Sequence, residues 1–171
     1  NRDSLLFESE RILAEKETGS LEIKYKDILS DISDLKGETK IREVKTRVNQ
    51  DFFRQIVLAN YNKKCAISGI DIPDLLFASH IIPWSKNEQE RLNPENGICL
   101  SALYDKAFDK GLIGINERYE IILSAKINKN KGKDYFQKHF SPLEKVKLHL
   151  PQKYLPNPKF LQWHLDTIFD K

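Results

Sequence analysis

The chain has no methionine, only two cysteines among 171 residues, and no long apolar run. Its longest apolar runs, 75–78 and 81–84, are far too short to cross a bilayer, so we expect no membrane partner. Cys65 and Cys99 stand far apart without a partner at zinc-ribbon spacing, which excludes a four-thiolate site, and we expect no structural zinc. Buried thiols in a reducing cytoplasm are the simplest interpretation, with a disulfide as the alternative.

The first residues lack both a starting methionine and a leader. The chain begins with Asn1, and no charged-then-apolar stretch precedes a small-residue cleavage site. We therefore expect a cytoplasmic protein that is a piece of a longer one. The missing N-terminal part would then carry a specificity domain.

The charge balance is nearly even, with a formal net charge of +3. This value is too small to indicate a nucleic-acid binder by itself. Lysines and arginines gather at 36–47 and 126–133, on either side of the central segment, and would suit phosphate contacts if the two stretches meet in space. A pair of solvated linkers is the alternative interpretation.

The length predicts one domain with appendages. Residues 1–45 are interpreted as an N-terminal helical support or connector, with a helix at 4–16, a strand at 21–25 and a helix at 28–35. A core at 46–126 and a wrapping tail at 127–171 follow. The tail contains four prolines and predicts extended chain before a short last helix around 160–169.

Within the core, Asn49 is placed to cap a helix whose apolar stripe includes Phe52 and Phe53 and that ends near 60–64. A short strand at 65–67, a second extended run at 75–80 and a polar loop at 85–95 come next. Asn96 is then predicted as the N-cap of a helix with a buried stripe of Leu100, Leu103 and Ala107. A hairpin of 112–115 and 119–124 completes an α+β arrangement.

His80 ends the second extended run, just before a loop broken by Pro83. Hydrolysis of a phosphodiester needs a water nucleophile, a base, and positive charge to meet the developing negative charge. A histidine held at a strand end yet facing solvent suits the role of base near neutral pH. Taken alone, a histidine beside two isoleucines favours a structural role, so this candidate depends on the residues that follow it.

Three further polar residues follow His80. Asn96 is a candidate to brace the loop that bears the histidine, although N-capping alone explains it as well. Asp105, nine residues later, is the most suitable ligand for a hard divalent cation such as Mg²⁺, and an exposed helical residue paired with a lysine is its alternative. Asp109 lies one helical turn further and is either a second ligand or a brace of the Lys110–Gly111 turn.

In combination, these segments resemble the HNH endonucleases, specifically the branch found as catalytic domains of bacterial restriction enzymes. The resemblance covers about residues 47 to 170. Its motifs are Ala78-Ser79-His80-Ile81-Ile82-Pro83-Trp84, Asn96-Gly97-Ile98-Cys99-Leu100 and Tyr104-Asp105-Lys106-Ala107-Phe108-Asp109-Lys110-Gly111, with supporting similarity at 49–54, 61–69 and 155–164.

The resemblance implies a ββα-metal core with flanking helices and an extra hairpin. It makes His80 the general base, Asn96 the brace of the catalytic loop and Asp105 the metal ligand. Ser79 stands where many members have an aspartate ligand, and its neutral hydroxyl is a weaker donor. The third motif residue is usually histidine or asparagine, whereas here it is Asp105.

The implied activity is metal-dependent cleavage of double-stranded DNA, with Mg²⁺ as the cofactor and Mn²⁺ able to replace it. We predict phosphate contacts for Arg47, Arg54 and Lys86. One such site cuts one strand, so duplex cleavage would need a homodimer or two binding events. A DNA-binding scaffold that has lost catalysis, and an RNA-directed nuclease or toxin, are the alternatives.

Overall fold

The computed structural model describes residues 38–87, 89–151 and 153–171. The elements predicted at 4–16, 21–25 and 28–35 lie outside these residues. The chain separates into two compact units, Asn1–Asn49 and Gln50–Lys171. The second unit contains every residue from the HNH-like motifs to the last helix, and the boundaries proposed near 45 and 126 stay predictions.

The first described element is the helix α1, Glu38–Asn60. No glycine or proline interrupts these residues, and most of them are good helix formers. The prediction that Asn49 caps this helix was therefore wrong, because Asn49 lies within it. The predicted apolar stripe is correct for Phe53 and Val57, whose side chains are buried in the core.

A strand–strand–helix unit forms the centre of the fold. Strand β1, Leu76–His80, pairs antiparallel with β2, Gly97–Ser101, and His80 lies opposite Gly97 in the register. Helix α2, Ala102–Asp109, follows β2 directly. This arrangement confirms the α+β class and agrees with a ββα-metal core.

Two local predictions for the strand–strand–helix segment were wrong. Asn96 does not cap a long helix, because it ends the 3-10 turn Pro94–Asn96 and the chain then enters β2. Every residue of β2 is buried. A strand buried on both faces shows no alternation of polar and apolar residues, and its apolar run was therefore assigned to a helix.

The segment 65–67 is a turn and not a strand. The Sγ atom of Cys65 accepts hydrogen bonds from the backbone N–H groups of Ile67, Ser68 and Ser101, at 3.4, 3.4 and 3.1 Å. The N–H of Gly69, a residue with φ of +72°, also donates to the Cys65 carbonyl. The three bonds within residues 65–69 fold the chain back on itself, so it does not continue as a strand.

The second half of the compact unit Gln50–Lys171 packs around the core. The predicted hairpin is confirmed as β3, Ile113–Ile115, paired antiparallel with β4, Ile121–Leu123. Two short helices not foreseen from the sequence follow, α3, Ala125–Asn128, and α4, Asp134–His139. The predicted last helix is confirmed as α5, Pro158–Thr167.

Hydrogen bonds tie the tail to the core both before and after α5. The Asn60 side chain donates to the carbonyl of Tyr154 and accepts from its N–H, at 2.9 and 3.2 Å. After α5, the N–H of Asp170 donates to the carbonyl of Gly111, which follows α2 with φ of +65°. A Cβ atom on Gly111 would lie 2.1 Å from the carbonyl oxygen of Ile168, so this contact requires glycine.

The core lies where α1, the β1–β2 pair, α2, the hairpin and α5 meet. Its fully buried side chains include Phe53, Leu76, Ile98, Leu100, Phe108, Ile113 and Leu161. Among the described residues, no helix is both long and apolar enough to cross a membrane.

Candidate active site

His80 is the last residue of β1, and its imidazole is held from several sides. The ring stacks on Phe53 with centroids 3.7 Å apart and planes 14° from parallel, and Trp84 meets it edge-on at 5.5 Å. Its Nε2 lies 3.0 Å from the carbonyl oxygen of Arg91. A carbonyl can only accept, so Nε2 must carry the hydrogen, and a neutral ring then has Nδ1 free to take a proton.

Burial lowers the pKa of His80 below its ordinary value, and the hydrogen bond to the Arg91 carbonyl opposes that shift. The net direction favours the neutral imidazole near neutral pH. A neutral histidine with one nitrogen committed to a backbone acceptor can serve as a general base through the other nitrogen.

Gly97 makes the stacking of Phe53 on His80 sterically possible. It lies opposite His80 in the β1–β2 register. A Cβ atom at this position would lie 2.4 Å from Cγ2 of Val57 and 2.8 Å from Cζ of Phe53. Real Cβ atoms do not approach so closely, so the absence of a side chain leaves the space that the phenyl ring fills.

Asn96 closes the loop between β1 and β2. Its buried side chain accepts from the N–H of Ile82 at 2.8 Å and donates to the carbonyls of Ile82 and Glu90 at 3.1 and 3.2 Å. Its backbone carbonyl also accepts from the N–H of Ile81 at 2.9 Å. These bonds join the two ends of the loop that follows His80, which is the geometry expected of a brace.

Arg91 stabilises the same loop from its outer end. Its Nε donates to the carbonyl of Trp84 at 2.9 Å, and its guanidinium carbon lies 5.1 Å from the centre of the Trp84 ring. Its own carbonyl accepts from His80. Neither the role of Arg91 nor the stacking of Phe53 was predicted from the sequence. The role of Arg91 has no sequence signal, because any residue has a backbone carbonyl that could accept the hydrogen bond from His80. Phe53 was predicted only as a core residue.

Ser79 and Asp105 meet on the side of β1 that faces α2. Successive side chains of a strand point to opposite faces, so Ser79 faces α2 while His80 faces α1. The buried Oγ of Ser79 donates to Oδ1 of Asp105. The structure therefore brings together two of the three residues predicted as metal ligands, and one of them, Ser79, directly precedes the predicted base in the chain.

Asp109 lies one turn after Asp105 on α2, and its side chain is exposed. Partial desolvation and then the negative charge of Asp105 raise the pKa of Asp109, while the charges of Lys106 and Lys110 oppose this. The two carboxylates therefore feel each other's charge. A cation placed between them would relieve this repulsion.

The side chains here fit a hard divalent cation that keeps most of its water. Ser79, Asp105 and Asp109 offer oxygen donors only, which is the donor type that Mg²⁺ prefers. Within the described ranges, no group of three or more His, Cys, Asp or Glu side chains could form a complete metal cage. The remaining positions would be filled by water and substrate phosphate, so affinity for metal without substrate should be low.

The three predicted phosphate-binding cations have different surroundings. The guanidinium of Arg54 donates to the carbonyl oxygens of Leu76 and Pro73, and so fixes the chain that enters β1. Lys86 is exposed in the loop after His80. Arg47 is exposed and belongs to the unit Asn1–Asn49. Phosphate binding by these three residues stays a prediction.

Parts of the chain are similar to known proteins. Residues 65–116 match the family model described as HNH endonuclease. A modification-dependent TagI restriction endonuclease is similar in structure, with a TM-score of 0.48 and 14% identity, over 68% of this chain and 37% of that one. The chain thus spans little more than a third of that relative. No curated protein matches the chain.

Proposed function

We propose that this chain, in which residues 65–116 match the HNH endonuclease family model, hydrolyses DNA phosphodiester bonds with His80 as general base and one divalent cation held by Asp105. The contact of Ser79 with Asp105 is the observation that carries the proposal. It collects oxygen donors on one face of β1 while His80, the next residue, is fixed on the other.

In this mechanism His80 activates the attacking water, and neighbouring residues hold His80 in position. The Nδ1 atom of His80 takes the proton from the attacking water, because Nε2 is occupied by the Arg91 carbonyl. Asn96 keeps the loop closed, and Phe53 keeps the imidazole in one orientation. A bound Mg²⁺ or Mn²⁺ would supply positive charge to the phosphoryl and leaving oxygens. Asp105 would hold it, with Ser79 and Asp109 in support.

A restriction role is the biological setting that we propose. It is supported by the resemblance of the flanking segments 49–54, 61–69 and 155–164 to the restriction-enzyme branch. Double-stranded DNA is the proposed substrate. One site cuts one strand, so we expect nicked plasmid to accumulate before linear plasmid, and linear plasmid to form faster at higher protein concentration. Linear product that forms without a nicked intermediate would contradict this expectation.

The test is incubation of supercoiled plasmid with the protein, with and without Mg²⁺ or Mn²⁺, beside His80→Ala and Asp105→Ala. We expect metal-dependent nicking that both substitutions abolish. His149→Ala and Asp170→Ala are matched controls, because both side chains are exposed and only the backbones of these residues make hydrogen bonds among the described residues. Equal activity in all five proteins would assign the nicking to a contaminant.

A DNA-binding scaffold without catalysis is the second candidate. Ser79 in place of a carboxylate favours it, since a hydroxyl is a weak ligand for Mg²⁺. Binding of modified and unmodified duplexes with no cutting in any metal would support the scaffold. Cutting of RNA with no cutting of DNA would instead assign the chain to the RNA-directed nucleases.

A further inference from the structure

A lysine-rich surface lies on the segment that contains α3 and α4. It consists of Lys126, Lys129, Lys131, Lys133 and Lys138, and all five side chains are exposed. The stretch from 126 to 138 contains a single carboxylate, that of Asp134. Within the part of the chain that the structure describes, none of the five ammonium groups is in an ion pair. The surface therefore carries positive charge that the protein itself does not neutralise.

The backbone under these lysines is held in place, so they do not lie on a loose linker. Ile127 and Phe136 anchor the segment in the core, and the Ser124 side chain caps α3. Between the helices, the Gln137 side chain donates to the Lys131 carbonyl at 2.6 Å, and the Lys133 N–H donates to the Asn130 carbonyl at 2.9 Å. Ordered backbone presents the charges in a fixed arrangement, which reduces the entropy lost on binding.

The lysine-rich surface is joined to the helix that carries Asp105. The hydroxyl of Tyr104, the neighbour of Asp105 on α2, donates to the carbonyl of His139 at 3.2 Å. The Tyr104 ring also meets Phe140 edge-on at 6.5 Å between centroids. The end of α4 is thus fixed against α2. Six helical residues span about 9 Å, so α4 connects this junction, near which Lys138 lies, with Lys133 at its other end.

We propose that this lysine-rich surface binds the phosphate backbone of the DNA duplex beside the phosphate that is cut. The inference rests on the proposed function, since it names a contact of the same substrate. Lysines supply point charges to phosphates without reading bases. The surface therefore contributes affinity and positioning, and no sequence preference.

The test is the salt dependence of duplex binding in His80→Ala protein, which should hold DNA without cutting it. The variant removes three charges together, as Lys129→Gln, Lys131→Gln and Lys133→Gln. Each lost phosphate contact reduces the slope of log affinity against log salt by about 0.9, so we expect a reduction of about 2 to 3. The triple substitution to arginine should keep the original slope.

The matched control removes three exposed lysines from the tail, as Lys147→Gln, Lys159→Gln and Lys171→Gln. It has the same net charge as the first triple and should keep the slope within about one contact. Equal reductions in both triples, or no reduction in either, would overturn the proposal. So would a reduction seen with an RNA duplex and not with DNA.

Failure of this inference can be told from failure of the proposed function. If the unmodified protein nicks plasmid but the first triple keeps its slope, only the surface assignment is wrong. If the unmodified protein neither binds nor nicks DNA, both are wrong.

Discussion

Phe53 and His80 are stacked face to face, with ring centroids 3.7 Å apart, although one lies in the first described helix and the other ends β1. The phenyl ring is buried, so it presents a fixed surface to the imidazole. The hydrogen bond to Arg91 fixes the rotation of the ring about its axis, and the stack fixes its plane. The orientation of the proposed base thus depends on packing by α1.

Gly97→Ala tests this dependence. The new methyl group would push against Val57 and Phe53, so we expect a stability loss of about 1 to 3 kcal/mol. Displacement of the phenyl ring should also lower the nicking rate by about 100-fold, because a small misplacement of a catalytic group is costly. Plasmid nicking at saturating DNA and urea unfolding would measure the two effects.

Gly132→Ala is the matched control for that substitution. A Cβ atom there would meet nothing within 4 Å, so we expect an unchanged free energy of unfolding. Phe53→Tyr should retain most of the activity, since it keeps the ring, whereas Phe53→Leu should not. Full activity in Gly97→Ala would show that the stack has no part in positioning His80.

Asn96→Ala should destabilise the protein more than a surface substitution does. It removes the side chain that satisfies the Ile82 N–H and bonds the carbonyls of Ile82 and Glu90, and it leaves these groups in a buried setting. We expect a loss of about 2 to 4 kcal/mol in unfolding free energy. Asn93→Ala, in the same loop but partly exposed, should cost less. Similar losses in the two variants, measured by urea unfolding, would refute the brace.

The metal dependence should change to different extents on substitution of Asp105 and of Ser79, two of the proposed ligands. Asp105→Asn should raise the Mg²⁺ concentration that gives half-maximal nicking by at least about tenfold, since it removes the central charged donor. Ser79→Ala should have a smaller effect, because a hydroxyl contributes less. Titration of nicking rate against Mg²⁺ for each variant would decide. A Ser79→Ala effect larger than that of Asp105→Asn would contradict this ranking of the ligands.

His164 should make the fold sensitive to acid. It is 1% exposed and stacks on Phe108, and its Nδ1 has no partner among the described residues. Burial lowers the pKa of His164 to about 4 from 6.5. Between about pH 6.5 and about pH 4, His164 is therefore protonated in the unfolded chain and neutral in the folded chain. The free energy of unfolding falls as the pH drops through this range.

Between about pH 7.5 and about pH 5, this residue alone should cost about 2 kcal/mol of unfolding free energy. His164→Phe has an aromatic ring that cannot be protonated. Its free energy of unfolding should therefore fall by about 2 kcal/mol less than that of the unmodified protein over the same pH range. Urea unfolding at the two pH values measures the difference. Equal losses in both proteins would show that His164 is not the acid-sensitive group.

The sequence predicted the elements whose apolar and polar residues follow the spacing typical of a strand, a hairpin or a helix. Strand β1, the hairpin and the last helix were found because they follow alternation, turn or helical spacing. Strand β2 was missed because it is buried on both faces. The small helices α3 and α4 were missed because their lysines and asparagines resemble a solvated linker, and only Ile127 and Phe136 anchor them.

The candidate site was predicted in its residue types more than in its geometry. His80, Asn96 and Asp105 follow from motif and chemistry, but Asn96 was placed at the N-cap of the helix that carries Asp105. In the structure, strand β2 separates Asn96 from that helix. The supports of His80 could not be predicted, because a stack with Phe53 and a bond to the Arg91 carbonyl depend on tertiary packing.

The contacts of Ile168 and Asp170 with Gly111 affect the order in which the domain forms. The ribosome makes α2 well before it makes Ile168 and Asp170, which contact the turn after that helix. A nascent chain that stops short of these residues lacks part of the packing that holds α2. Force measurements on stalled nascent chains should therefore show the folding transition only after residue 170 has left the exit tunnel. The proposed site would then become fully packed only after α5 and Asp170 have been made.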